Sequence, residues 1–262
     1  ANLPADLMFS ILYKGIIQRD MGDISASSST FTRGLETAKL GNSKYLQMER
    51  RFLFQLGENG LKNKDYEGSI DFFSKSIIIS VNDDERAAGF NALSTAYYGK
   101  KKLNSSIEYA IKASNMYLKI GALTEYADSQ FKIANYQLED KSPERSLKLL
   151  LRLEKFANDN GSKYYESKSL LEQSNVYKIL GNADKALQII GTVISAVAKV
   201  RSSQAEQVQY EMKARNEEIK GRIDAVNYKN QGTEVLRNME KAMAASTARS
   251  AAGGLNPYAS GE

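Results

Sequence analysis

The sequence predicts an all-α solenoid made of helix-turn-helix units stacked in a row. Three observations predict it: a composition that favours helix, an internal repeat of about 40 residues, and a long amphipathic stretch where that repeat ends. The chain has 262 residues, of which 42% are hydrophobic and 26% charged, as in ordinary globular proteins. Pro occurs only at Pro4, Pro143 and Pro257, while Ala, Leu, Lys, Glu and Ser are abundant. Straight-chain residues lose little rotamer freedom in a helix and Pro breaks one, so this balance points to helix.

Four units align in succession. In the first, Leu53, Leu56, Gly57 and Gly60 precede the turn Asn63-Lys64-Asp65-Tyr66, and Ser69, Phe73 and Ser76 follow it. The second places Phe90, Leu93, Ser94 and Tyr97 before the turn at Lys100–Leu103, with Ser106, Ala110 and Ala113 after it. The third has Ile133 and Ala134, the turn Ser142-Pro143-Glu144-Arg145, then Ser146, Leu150 and Leu153. Ser142 suits an N-cap, and Pro143 suits the first helical position, where its missing N–H costs nothing. The fourth runs through Leu170, Ser174, Tyr177, Leu180 and Gly181 to the turn Asn182-Ala183-Asp184, then Ala186 and Ile190. A degenerate fifth unit runs from Met8 to about Lys39, with Gly15, Ser27 and Phe31 in the matching places. The small residues Ser69, Ser106, Ser146 and Ala186 stand where the second helix of a unit crosses the first. Gly41, Gly121 and Gly161 fall in the connections, where a helix end commonly needs a left-handed residue.

These residues resemble the tetratricopeptide repeat (TPR) family. The best stretches are Leu180-Gly181-Asn182-Ala183-Asp184-Lys185-Ala186-Leu187 and Lys64-Asp65-Tyr66-Glu67-Gly68-Ser69-Ile70. The likeness covers residues 50 to about 195 closely and 8 to 49 loosely. The units depart from the family in exceeding about 34 residues and in lacking the Pro that closes each repeat. Repeats of about 40 residues with Gly in the connection are similar to the variant of bacterial signal-transducing regulators. The resemblance implies a TPR-like right-handed helical solenoid of four to five units over residues 1–195.

It also implies that the first helix of each unit lines a concave, partner-binding channel. The inward positions are Arg51, Phe54, Glu58 and Lys62; Asn91, Thr95 and Tyr98; Asp128, Phe131 and Asn135; and Lys168, Leu171, Asn175 and Lys178. Asn135 and Asn175 are equivalent in successive units, and a side-chain amide both donates to and accepts from a bound backbone. Phe54, Tyr98 and Phe131 are the candidate apolar anchors, because aromatic side chains concentrate at interfaces. The basic-and-amide pattern that grips a terminal carboxylate is matched by Lys168 and Lys178 but not by Glu58 or Asp128.

After about Gln188 the pattern changes. Residues 196–241 read as one long amphipathic, coiled-coil-like helix, or two broken near Gly221 or Gly232. The apolar positions Val208, Met212, Ile219, Ile223 and Val226 recur at helical spacing. A helix of about 40 residues is about 60 Å long. Its apolar stripe makes it a candidate assembly helix, including for homo-oligomers. Residues 242–262 are rich in Ala, Ser and Gly and read as a flexible tail. Residues from about 189 to 258 also resemble the small internal, or ejection, proteins of short-tailed bacteriophages, which implies a structural virion component that contacts membrane.

Several functions are excluded or unexpected. There is no Cys and no His, so disulfides, thiolate and imidazole metal sites, Cys nucleophiles and a Ser-His-Asp triad are all ruled out. No Gly-Lys-Ser/Thr phosphate loop occurs, and Glu217 and Glu218 are adjacent, so on a helix they splay apart. Neither an enzyme nor a cofactor is expected. The net charge of +5 is spread along interleaved acids and bases rather than clustered, so nucleic acid is not an expected partner. The apolar run Leu187–Val200 is shorter than the roughly 20 residues that span a bilayer. No basic stretch with an apolar core opens the chain, so a cytoplasmic location is expected, with the virion as the alternative. The expected function is a non-catalytic scaffold or adaptor that holds a peptide or helix in the concave channel.

Overall fold

The computed structural model describes residues 5–41, 45–197, 213, 214 and 217. The expected assembly-helix residues Val208, Met212, Ile219, Ile223 and Val226 lie outside them, as do the expected tail and most of the stretch that carries the phage resemblance. The described residues form ten α-helices and no strand: α1 (Ala5–Asp20), α2 (Ile24–Leu40), α3 (Leu46–Lys62), α4 (Tyr66–Ile78), α5 (Asp83–Gly99), α6 (Leu103–Lys119), α7 (Leu123–Glu139), α8 (Pro143–Asp159), α9 (Lys163–Ile179) and α10 (Ala183–Val197). Each helix packs mainly on its neighbours in sequence, so the described residues form a stack of five helix pairs, the degenerate N-terminal unit included.

Within a pair, the small residues do what the repeat requires. Ser27, Ser69, Ser106, Ser146 and Ala186 are fully buried at the crossing of the second helix on the first. The Ser69 hydroxyl donates to the Asp65 carbonyl at 2.7 Å and is placed 3.0 Å from the Gly57 carbonyl of the first helix. Four residues further on, size is complementary across the pair. Phe31 lies against Gly15, and Phe73 against Gly57, where a Cβ on Gly57 would come within 2.5 Å of the ring. At the equivalent positions the first helix carries Ser94, Ala134 or Ser174, and the second carries the smaller Ala110, Leu150 or Ile190, all buried. Burying a side chain of this size contributes about 1.5–3 kcal/mol. The core is therefore a row of small clusters along the stack rather than one central mass.

The joints between pairs are partly polar. Asn59 on α3 donates to Ser27 and Ser28 on α2 at 2.9 and 3.0 Å. Gln130 on α7 donates to Ser114 on α6, and Gln173 on α9 to Glu154 on α8. At the α4–α5 joint, Gly89 lets Ile77 lie directly on the α5 backbone.

The helix ends correct two expectations. Gly121 and Gly161 do adopt positive φ (75° and 69°), but Gly41 does not. Gly41 has φ −91°, and its lack of a side chain makes room for the Tyr45 ring. Inside the units the left-handed residue is often a lysine: Lys64, Lys101 and Lys141 have φ of 61°, 60° and 56°. Pro143 occupies the start of α8 as expected, but Ser142 makes no side-chain cap, and its hydroxyl turns to the Asp140 carbonyl instead. Asp23, Asp65, Asn82, Ser162 and Asn182 supply the side-chain caps.

Candidate partner-binding channel

The first helices α5, α7 and α9 stand side by side, so residues spaced four, three and four apart on each form one lined strip. On α7 the strip is Asp128, Lys132, Asn135 and Glu139; on α9 it is Lys168, Glu172, Asn175 and Ile179. With Thr95 and Tyr98 of α5, and with Phe131, Tyr136 and Leu138, these residues line an open groove of about 880 Å³. A second, smaller cavity of about 190 Å³ lies between α3 and α5, lined by Arg50, Arg51, Phe54, Gln55, Asp84, Glu85 and Ala88. There the Arg50 guanidinium pairs with Glu85 at 3.1 Å.

The groove has an aromatic floor. Tyr98 stacks on Tyr136 with ring centroids 4.6 Å apart, and its hydroxyl donates to the Glu139 carboxylate. That bond, with burial second, pushes the Tyr98 phenol up to about 12. Phe131 stacks on Tyr165 at 6.2 Å, and the Lys168 ammonium sits 4.7 Å over the Phe131 ring while 3.7 Å from Asp128. Ring and carboxylate together hold that cation at the groove wall.

Beside the aromatics runs a polar ladder across the stack. Lys132 donates to Asn91 Oδ1 at 2.6 Å and to Thr95 Oγ1 at 3.1 Å, both on α5. Burial depresses its ammonium to about 8, against the opposing pull of Glu58 and Asp128. Glu58 on α3 is raised by burial, against the pull of Arg19, Lys62 and Lys132. Arg19 on α1 in turn donates to Gln55 at 2.6 Å. A run of alternating charges and amides thus links α1, α3, α5 and α7.

The expected site residues separate into three groups. Tyr98, Phe131, Asn135, Lys168 and Asn175 line the groove together. Arg51 and Phe54 line the smaller cavity, with the Arg51 guanidinium 5.5 Å over the Phe9 ring and Phe54 packed on Phe73 at 5.3 Å. Asn91 lies beneath the groove as the acceptor for Lys132. Three positions are corrected. Phe131 borders the groove but is 5% exposed in the core cluster with Leu150 and Val176, so it is not an exposed anchor. Leu171 is 1% exposed and packs against Val193 of α10, so it belongs to the core. Lys178 lies outside the groove's lining.

Lys132, Glu139, Glu172 and Ile179 line the groove without having been singled out from sequence. Each lies four residues beyond a residue that was, namely Asp128, Asn135, Lys168 and Asn175. The missed signal is this second i, i+4 row, which a straight helix places beside the first.

Neither a protein-family model nor a curated protein matches the sequence. Solved structures do match the fold. The nearly identical TPR-like repeats of a kinesin light chain protein from Podosopora anserina superpose with a TM-score of 0.66 at 14% identity, covering 78% of this chain and 100% of that one. BtubC (BKLC) from P. vanneervenii gives a TM-score of 0.63 at 14% identity, covering 74% and 80%. The apo form of RapI gives 0.54 at 15% identity, covering 73% and 82%. The fold is that of a TPR-like helical solenoid.

Proposed function

We propose that the chain is a non-catalytic interaction scaffold that holds a peptide or helix of a partner protein in the groove across α5, α7 and α9. One observation carries this reading: Asn135 and Asn175 line the groove one repeat apart, between an aromatic floor and charged walls. Two amides at that repeat spacing can each donate to and accept from a bound backbone, whatever its side chains. Tyr98, half-buried at the groove, offers apolar surface to anchor an aromatic or aliphatic side chain. Lys168, Glu172 and Glu139 at the walls select the partner by charge order and set its rate of encounter. In this reading residues 196–241, with their apolar row from Val208 to Val226, couple the scaffold to an assembly, and the scaffold works in the cytoplasm. Among the described residues no helix is long and apolar enough to cross a membrane.

The test is to select peptides from a random display library on the full chain and to measure their affinity for it and for variants. Asn135→Ala with Asn175→Ala weakens binding at least about tenfold, the effect of two lost hydrogen bonds. Lys155→Ala, on the exposed side of α8, leaves it unchanged. Equal affinity for all three proteins removes the reading.

A further inference from the structure

The two ends of the stack carry the two halves of an inter-unit joint. In each first helix, the residue two places after the small crossing residue faces the preceding unit. At that position Asn59 is 1% exposed, Ala96 0%, Tyr136 5% and Val176 0%, yet Ile17 of α1 is 58% exposed. Tyr13 and Met21 flank Ile17 on the same face and are 62% and 80% exposed. This face is built like a joint but has no helix on it among the described residues.

The other half of each joint lies on the second helix, eight places after its small residue. There Leu35 packs in the cluster that holds Phe52, Ile77 lies on Gly89, Ser114 accepts from Gln130 and Glu154 accepts from Gln173. The next member of that row is Ile194 on α10, which is 39% exposed.

We propose that α1 of one molecule docks on α10 of a second copy, continuing the repeat register from one chain into the next. The occupant is a second copy because the joint already recurs four times within the chain, and the halves left uncovered by the described residues at the two ends are its two complementary sides. In that register Ile17 would meet Leu187, as Asn59 meets Ser28 one place after Ser27. Ile194 would lie against residues 10–14 of α1, as Ile77 lies on Gly89 and Ser114 on Gln130 a few places before the small residue of the next first helix. Lys14, at the position of Leu56, Leu93 and Ile133, lays its aliphatic stem along the joint and keeps its ammonium at the rim. The contact is heterologous, so it propagates into rows or closes into a ring. A row of molecules sets successive channels in line, and a partner with repeated binding segments gains affinity from each further channel.

The test is the mass of the full chain by light scattering over a wide concentration range. It uses wild type, Ile17→Glu and Ile194→Glu, with far-UV circular dichroism confirming unchanged helix content in these exposed-site variants. The expected wild-type mass rises above the 29.1 kDa of one chain as concentration increases, and each variant alone stays at one chain. An equimolar mixture of the two variants forms a species of twice that mass and grows no further, because only one intact pair of ends remains. A wild type that is monomeric throughout overturns the proposal. So does a dimer that Ile17→Glu dissolves and Ile194→Glu leaves intact, since that is α1 pairing with itself. Neither result bears on whether the channel binds a peptide.

Discussion

Lys132 shows how a single side chain ties the stack together. Its ammonium is held by two neutral acceptors on α5, with Glu58 and Asp128 as the acids that favour its charge. Desolvation outweighs that attraction, so the folded chain releases this proton near 8, below the ordinary lysine value of about 10.4. Between those values the unfolded chain binds more protons than the folded one, so this group makes stability rise with pH from about 8 to about 10. Above about 10 the sign reverses for Tyr98, Tyr117 and Tyr165, whose phenols are pushed up to about 12 and are better protonated when folded. Urea unfolding of wild type and Lys132→Met at several pH values checks this: the difference between them shifts in favour of wild type from pH 8 to pH 10. A constant difference contradicts it. The same residue shows why the site was only half legible in sequence. A row at i, i+3 and i+7 picks out Asp128, Phe131 and Asn135, while Lys132 sits on the neighbouring i, i+4 row. Leu171 erred the other way: its place on the row was right, but α10 supplies Val193 to bury it.

Among the elements, the helix pairs were legible because sterics leave few choices at a crossing. Gly57 is required by Phe73, and a Cβ there meets the ring at 2.5 Å. Gly57→Ala therefore destabilises the chain by about 1–3 kcal/mol, and Phe73→Leu in the same chain restores part of that by making room. Thermal or urea unfolding of the single and double variants reads both effects. The turns were less legible, since glycine is an incomplete marker of left-handed backbone. Lys101 holds φ 60° with a Cβ, at a cost of about 1–2 kcal/mol. Lys101→Gly is expected to raise stability by about 1 kcal/mol, and no gain would show that the side chain contributes more than the strain removes. Gly41 looked like such a turn residue, yet it serves the packing of Tyr45 instead.

For the whole molecule, the period of the repeat was the most legible feature, because a unit that touches only its neighbours must carry its packing instructions locally. Four units and a degenerate fifth were read in the sequence by aligning small residues, and five helix pairs form among the described residues. Which pairs share a groove was not legible, since that depends on how far each strip of α5, α7 and α9 turns to face the next. The groove gathers residues from three units, so its occupation is tested best by mapping a bound peptide onto the full chain. Hydrogen exchange with and without a display-selected peptide does this directly. Slower exchange is expected in residues 88–99, 128–139 and 168–179 on binding, with α6 and α8 unchanged on their outer faces. Protection confined to α6, α8 or α1, with the three first helices unaffected, contradicts it.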